Sequence, residues 1–361
     1  MAQPWRRRLT VVAGALLVLV LLAAASVAGV RWWDRSHRTD LERALAYAPP
    51  ETARFSWTDW AGVRRALGAH LDEHTSAKDL EQFLSDGFDA DLSSESAMVD
   101  SATVLQQALG FSPADVDWEL LAQSETGSVL IAGLPDDLDL TQLGDGFETA
   151  GYTRPDDADG VWDGGEELVS RISAANGGEL SPQFQYLAID ADRHLVLASD
   201  SGPYLREAVG DVDDDLGDHG LRDVAGAVAE PLSAAVYTGD FACKSLAMAQ
   251  AGPDDESAGD QLIAAAGRVD PMTGFAMAVE PDRKVTVAMD FETDDQARRN
   301  ADTRAKLAAG PAPGQGGDFS ERFSLGPVTA DGTVVTMHLE PVDDSPVLSD
   351  LSTGPLLFAT C

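Results

Sequence analysis

Cysteine is scarce in this 361-residue chain: Cys243 and Cys361 are the only two. They are too far apart in sequence to form a paired metal or redox motif, so cysteine-based metal or redox work is excluded. No cysteine lies near the N-terminus, which excludes a lipid-anchored lipoprotein. Lysine is nearly as rare, at Lys78, Lys244, Lys284 and Lys306. The usual nucleophile and phosphate motifs are missing. There is no G-x-S-x-G, no S-x-x-K with partners, no G-x-x-x-x-G-K and no G-x-G-x-x-G after a strand.

Acid dominates what is there. Aspartate and glutamate number 61 against 25 lysines and arginines, a net charge of −36. Without Arg6, Arg7 and Arg8 the remainder stands at −39. Such a body repels nucleic acid and anionic headgroups, and suits cations, basic proteins or neutral molecules. The same surface also fits salt adaptation or a genome-wide habit. A hydrophobic fraction of 44% with 24% charged residues is globular composition rather than disorder.

One long apolar run stands out. Leu9 to Val30 is 22 residues without a charge, with Arg6 to Arg8 before it and Arg31, Trp32 and Trp33 after it. As a helix it reaches about 33 Å, enough to cross a bilayer core of about 30 Å. The two tryptophans suit the headgroup boundary. The alternative is a cleaved signal peptide, with small residues at Ser26-Val27-Ala28. Arg31, Arg35 and Arg38 balance the leader arginines, so charge does not set orientation. The short leader favours a cytoplasmic N-terminus and a body outside the cytoplasm. In an oxidising compartment Cys243 and Cys361 would pair and pin the chain end; two buried free thiols is the other reading.

The expected fold class is α+β, organised as 1–38 leader and transmembrane anchor, 39–124 mostly helical, and 125–361 of hairpin units with covering helices. Thr58 reads as the cap of a helix running to Leu71. Further helices are expected from Ser76 to Gly87, from Ser94 to Leu109, after Ser112-Pro113-Ala114-Asp115, and from Leu138 to Ala150. Phe55 and Trp57 alternate onto one face of a strand. Tyr152–Arg154 and Val161–Trp162 read as a hairpin around Asp159-Gly160. Tyr186–Ala198 and Phe275–Ala288 resemble each other, each strand, turn, strand with Asp-Arg in the turn, and a third hairpin turns at Asp331-Gly332. The match is either a duplication or two similar hairpins. The end, Pro355 to Cys361, reads as a docked strand.

The sharpest local motif is His70-Leu71-Asp72-Glu73-His74, or H-x-x-E-H. On a helix, His70 and His74 would lie one turn apart and hold zinc, with Glu73 as proton acceptor. The five residues resemble the inverted zinc-peptidase motif. A third ligand is not identified; Glu119 and Glu125 are two of many downstream glutamates. Frayed, half-exposed histidines are the plainer reading. Acids at Asp211, Asp213 and Asp215, and at Asp157, Asp159 and Glu166, invite calcium. Leu216 stands where the loop needs glycine, Arg222 where it needs glutamate, and Pro155 at the second loop's first position, so neither is an EF-hand. Trp57 and Trp60 are candidates for a ligand groove, or for core packing.

The layout, a basic leader, one span and Ala48-Pro49-Pro50-Glu51-Thr52-Ala53-Arg54-Phe55-Ser56-Trp57 entering a strand, resembles single-span actinobacterial envelope proteins of unknown function. That resemblance implies an envelope location and supplies no catalytic residues. The expected function is a membrane-anchored extracytoplasmic binding or scaffolding protein, meeting an envelope protein or a small molecule and not nucleic acid. The alternative is a zinc-dependent hydrolase built on His70, Glu73 and His74.

Overall fold

In the computed structural model, the described residues are 38–361 without Glu73, residues 158–159 and residues 213–215. The apolar run Leu9–Val30 lies outside them. Leu41 to Cys361 form one compact unit. Its frame is a single antiparallel sheet of eleven strands in the order β10-β11-β9-β8-β7-β1-β2-β3-β6-β5-β4. The class is therefore α+β, with hairpins and covering helices.

The first half begins with helix α1 (Asp40–Tyr47) and strand β1 (Arg54–Thr58). Helices α2 (Trp60–Leu67) and α3 (Ala77–Asp89) and a mixed helical stretch over 99–109 follow. Then come β2 (Trp118–Gln123), β3 (Ser128–Gly133), α4 (Leu140–Ala150), the short β4 (Trp162–Asp163), α5 (Gly165–Asn176), β5 (Tyr186–Asp190) and β6 (Leu195–Ser199). Helix α6 (Gly202–Asp211) closes this half. The second half runs α7 (His219–Ala227), β7 (Ser233–Thr238), a helical stretch over 239–246, α8 (Pro253–Ala266), β8 (Gly274–Val279), β9 (Val285–Asp290), α9 (Asp294–Ala308), β10 (Phe323–Asp331), β11 (Val334–Pro341) and α10 (Val347–Ser352).

The two halves repeat one topology. Counted outward from the centre, the first half places its strands β1-β2-β3-β6-β5 and the second β7-β8-β9-β11-β10. The halves meet where β1 and β7 pair antiparallel, Ser56 opposite Ala235. A helix precedes each central strand, α1 and α7, and a helix follows each second hairpin strand, α4 and α9. Tyr186–Ala198 therefore corresponds to β10–β11, and Phe275–Ala288 to β2–β3. The resemblance between Tyr186–Ala198 and Phe275–Ala288 joins hairpins that are not equivalent. It reflects turn chemistry, and even there the left-handed residue differs, His194 (φ 53°) in one and Arg283 (φ 67°) in the other.

Both sheet faces are covered over most of their extent. Phe55, Trp57, Leu120, Ile131 and Val236 face a core closed by α1, α6 and α7. Leu130, Val196, Phe275, Val287 and Met337 face the larger core, under α2 to α5 and α8 to α10. Phe55 and Trp57 share a face, as alternation predicts. Burial on both faces explains why β8 and β9 are buried at every residue.

Several boundaries differ from expectation. The supposed division at 124/125 falls inside the β2–β3 hairpin. Asp59, not Thr58, caps α2, accepting from the Gly62 amide at 2.7 Å. That helix stops at Gly68, whose φ of 64° suits a residue without a Cβ. Residues 91–98 are not helical, and helical turns begin at Val99. Ser112 to Asp115 forms the capping contact, Ser112 N–H to Asp115 Oδ1 at 2.7 Å, around a single turn that leads into β2. The Tyr152–Trp162 hairpin reduces to one bridge, Thr153 to Asp163. The chain end docks as a 3-10 turn, Leu357–Ala359, rather than a strand. Among the described residues no helix is long and apolar enough to cross a membrane.

Candidate functional site

Because α2 ends at Leu67, His70 and His74 lie on the loop beyond it, both exposed. The His74 amide donates to Asp72 Oδ1 at 2.9 Å, a local turn contact. The one-turn relationship that made the pair a zinc motif is not present; Glu73 lies outside the described residues. The two glutamates weighed as third ligand are elsewhere. Glu125 sits exposed in the β2–β3 turn. Glu119, 1% exposed on β2, accepts from Trp60 Nε1 at 3.1 Å and from the Ala97 amide at 2.7 Å. Burial pushes its pKa up, and these donors oppose the shift. Among the described residues no group of three His, Cys, Asp or Glu is placed to hold a metal ion.

Of the acidic loops, Asp211 ends α6 and Glu166 lies in the first turn of α5, so neither sits in a loop. Asp159, Asp213 and Asp215 lie outside the described residues. Trp57 and Trp60 are both fully buried and belong to opposite faces of the sheet. Trp57 stacks on Trp118 with centroids 5.4 Å apart, and Trp60 packs on Phe83. They are core residues and line no common groove.

The cysteines do come together. Cys243 and Cys361 are disulfide-bonded, with Cα atoms 5.5 Å apart at a sequence separation of 118. The tail behind the bond is buried from Leu356 to Thr360. Arg304 reinforces it from α9, donating to the Phe358 carbonyl at 2.6 Å and the Asp270 carbonyl at 2.9 Å.

A concave site lies at one end of the two central strands. It is built on the turn Pro49 to Thr52, closed by the Thr52 amide donating to the Pro49 carbonyl at 3.0 Å. Proline fixes this turn before β1 and keeps its backbone out of the sheet. On one side is a lobe of about 590 Å³, with Leu45, Ala48, Phe55, Leu216 and Leu221 in its wall. On the other is a lobe of about 800 Å³, with Glu51, Asp218, Asp240 and Glu292. Pro50, Thr52, Asp218 and Thr238 belong to both. The floor of the acidic lobe requires close backbone approach, since a Cβ on Gly220 would overlap the Thr273 carbonyl. Thr52 is 4% exposed, and among the described residues its hydroxyl has no hydrogen-bond partner, as is also true of Thr58 and Ser233. An unmade bond on a buried hydroxyl costs about 1–3 kcal/mol. The Pro-Pro-Glu-Thr signal was visible in sequence. The acids that join it, Asp218 capping α7, Asp240 in the 239–246 stretch and Glu292 just before α9, are not its sequence neighbours.

Three comparisons bear on identity. No protein-family model matches this chain, no curated protein matches it, and no solved structure matches it.

Proposed function

We propose that this chain is a single-pass, membrane-anchored protein of the cell envelope whose body lies outside the cytoplasm and acts by binding. It holds a globular domain near the membrane, where that domain meets a protein or a small molecule. The observation that carries the reading is the Cys243–Cys361 pair at bonding distance. Structural disulfides persist in oxidising compartments and are rare in the cytosol. The uncharged run Leu9–Val30 supplies an anchor of the right length. The net charge of −36 disfavours nucleic acid as the partner.

The test is the intact mass of protein extracted from membranes, with thiols alkylated before and after reduction. A full-length mass, with both thiols reactive only after reduction, is expected. Two thiols that alkylate without reduction would place the body in the cytoplasm and overturn the topology. A mass shortened to about residue 28 would replace the anchor with a cleaved signal peptide.

A further inference from the structure

Three arginines gather on one buried aspartate. Asp270 follows helix α8 and is 1% exposed. Asn300 on α9 locks it, accepting from the Asp270 amide at 3.2 Å and donating to Asp270 Oδ2 at 2.9 Å. On the solvent side, Arg268 Nη2 reaches Asp270 Oδ1 at 2.8 Å and Arg299 Nη2 reaches Oδ2 at 3.3 Å. From the interior, Arg304 donates to the Asp270 carbonyl at 2.9 Å. With its pKa at about 9, Arg304 keeps its charge at neutral pH. Lys306 donates to the Ala266 carbonyl at 3.0 Å and ties the end of α8 to α9. One cation compensates one buried carboxylate, so three arginines against one aspartate leave a local surplus of two positive charges. Arg268 and Arg299 are 72% and 45% exposed and make no other hydrogen bond or ion pair among the described residues. Because both grip oxygens of one carboxylate, the two planar forks are held side by side with donors to spare.

We propose that Arg268 and Arg299, oriented by the buried Asp270, form a binding site for a phosphate dianion, either inorganic phosphate or a phosphate monoester. Its charge matches the local surplus. Its oxygens can meet two adjacent guanidinium forks at once, which a lysine's point charge could not arrange. A carboxylate brings one charge and two oxygens, and engages the pair less fully. The net charge of −36 opposes anions at long range. Screening at physiological salt limits that field to about 8 Å, so the charges next to the forks decide. On α9, Asp295 is already paired with Arg298, and the exposed Asp302, three residues beyond Arg299, is the acid that competes. The phosphate belongs to a soluble molecule or to a lipid headgroup; the chemistry at the forks is the same. The inference rests on the binding half of the proposed function and gives it a ligand class. It needs neither the anchor nor the disulfide, so the thiol experiment and the following one fail separately.

The experiment uses the full chain in phosphatidylcholine nanodiscs at physiological salt, with empty nanodiscs as the blank. The pH is about 7.5, where phosphate is mostly dianionic. Titration calorimetry compares inorganic phosphate with acetate. Phosphate is expected to bind with a dissociation constant of about 1 mM or tighter, and acetate about fivefold weaker or more. Arg268→Gln and Arg299→Gln should each weaken phosphate about fivefold or more. Arg268→Lys keeps the charge and loses the fork, and should weaken phosphate about threefold. Arg298→Gln removes a positive charge from the same helix and should leave the affinity unchanged. Arg268 is mostly exposed, so its variants should melt close to the wild type, and they decide the matter if the Arg299 variant does not fold. Nanodiscs doped with phosphatidic acid separate the two sources. Loss of phosphate affinity on them names a headgroup as the occupant, and unchanged affinity names a soluble phosphate. No heat at millimolar phosphate, equal binding of acetate, an affinity untouched by Arg268→Gln, full affinity in Arg268→Lys, or an equal loss in Arg298→Gln would each overturn the inference.

Discussion

Arg304 and Phe358 are 54 residues apart in sequence, and the Arg304 guanidinium donates to the Phe358 carbonyl at 2.6 Å. The side chain is fully buried. Its other donors go to Asn300 Oδ1 at 3.1 Å and the Asp270 carbonyl, and the guanidinium lies over the Phe291 ring. Burial pulls its pKa down to about 9, with the Asp270 carboxylate opposing the shift. The chain end is thus fastened by a buried cation as well as by a disulfide.

Replacing Arg304 with Met keeps much of the volume and strands the Phe358 and Asp270 carbonyls, whereas Asn300 Oδ1 still accepts from the Asp270 amide at 3.2 Å. We expect a loss of about 3–5 kcal/mol, as when one partner of a buried charged network is removed. Guanidinium denaturation of both proteins checks this; a loss below 1 kcal/mol would mean that the tail is held by packing alone.

Breaking the Cys243–Cys361 bond frees a loop with 118 residues of separation. The chain-entropy argument puts the stabilisation at about 4–5 kcal/mol. Cys243→Ser should lower the denaturation midpoint by that order, and reductant should lower the wild-type midpoint to match. Because Arg304 still holds Phe358, the reduced protein should keep its near-ultraviolet circular dichroism before the transition. Loss of that signal on reduction alone would contradict the double fastening.

Asp91 joins the halves, accepting from the Leu348 amide at 2.7 Å and the Ser349 amide at 3.2 Å. Burial raises its pKa from 3.8 to about 6, and raises that of Asp115 to about 6 as well. Between about pH 4 and pH 6 the folded protein holds protons that the unfolded chain has released. Stability from these groups is full below pH 3.8 and is lost as pH rises through 6, by up to about 3 kcal/mol for each. Denaturation at a series of pH values should show this fall, and Asp91→Asn should remove about half of it, leaving the share of Asp115. Stability that rises across the window in wild type and variant alike would refute the assignment.

Glu119 serves Trp60 and Ala97 at once. Glu119→Leu leaves both donors unpaired in the core and should cost about 2–4 kcal/mol, whereas Glu119→Gln keeps one acceptor oxygen and should cost about half as much. Equal losses in the two variants would show that volume rather than hydrogen bonding is at stake.

Local signals in the sequence proved sound where the cause is local. Phe55 and Trp57 alternate onto one face, Ser76 caps α3, and each of the three strand–turn–strand segments is a hairpin. The disulfide was one of the two readings that the cysteine count and the apolar tail left open, and it is the one the structure has. What sequence missed depends on one local stop that apolar periodicity hid, and otherwise on distant partners. The left-handed Gly68 ended a helix that apolar periodicity would have carried to Leu71, and the H-x-x-E-H spacing lost its meaning with it. A helix was expected from Ser94, but Ser56 donates to Glu95 and the Ala97 amide to Glu119, contacts that hold the serine-rich segment 91–98 against the sheet in another conformation. The cleft was half legible. Pro49-Pro50-Glu51-Thr52 announced a fixed turn, while Asp218, Asp240 and Glu292 reach it only because β1 and β7 are neighbours.

That neighbourhood has a consequence for how such a chain can exist at all. A half on its own would leave the central strand, Arg54–Thr58 or Ser233–Thr238, as a naked edge with its amides and carbonyls unclaimed. Naked edges recruit other strands, and an isolated half would be driven to pair with a second copy. Joining both halves in one polypeptide makes that pairing unimolecular, so it no longer depends on how much protein is present. It also frees the halves from having to match. The second half carries the disulfide and the buried arginine, and the first brings the proline turn of the cleft, a division of labour that two identical subunits could not adopt.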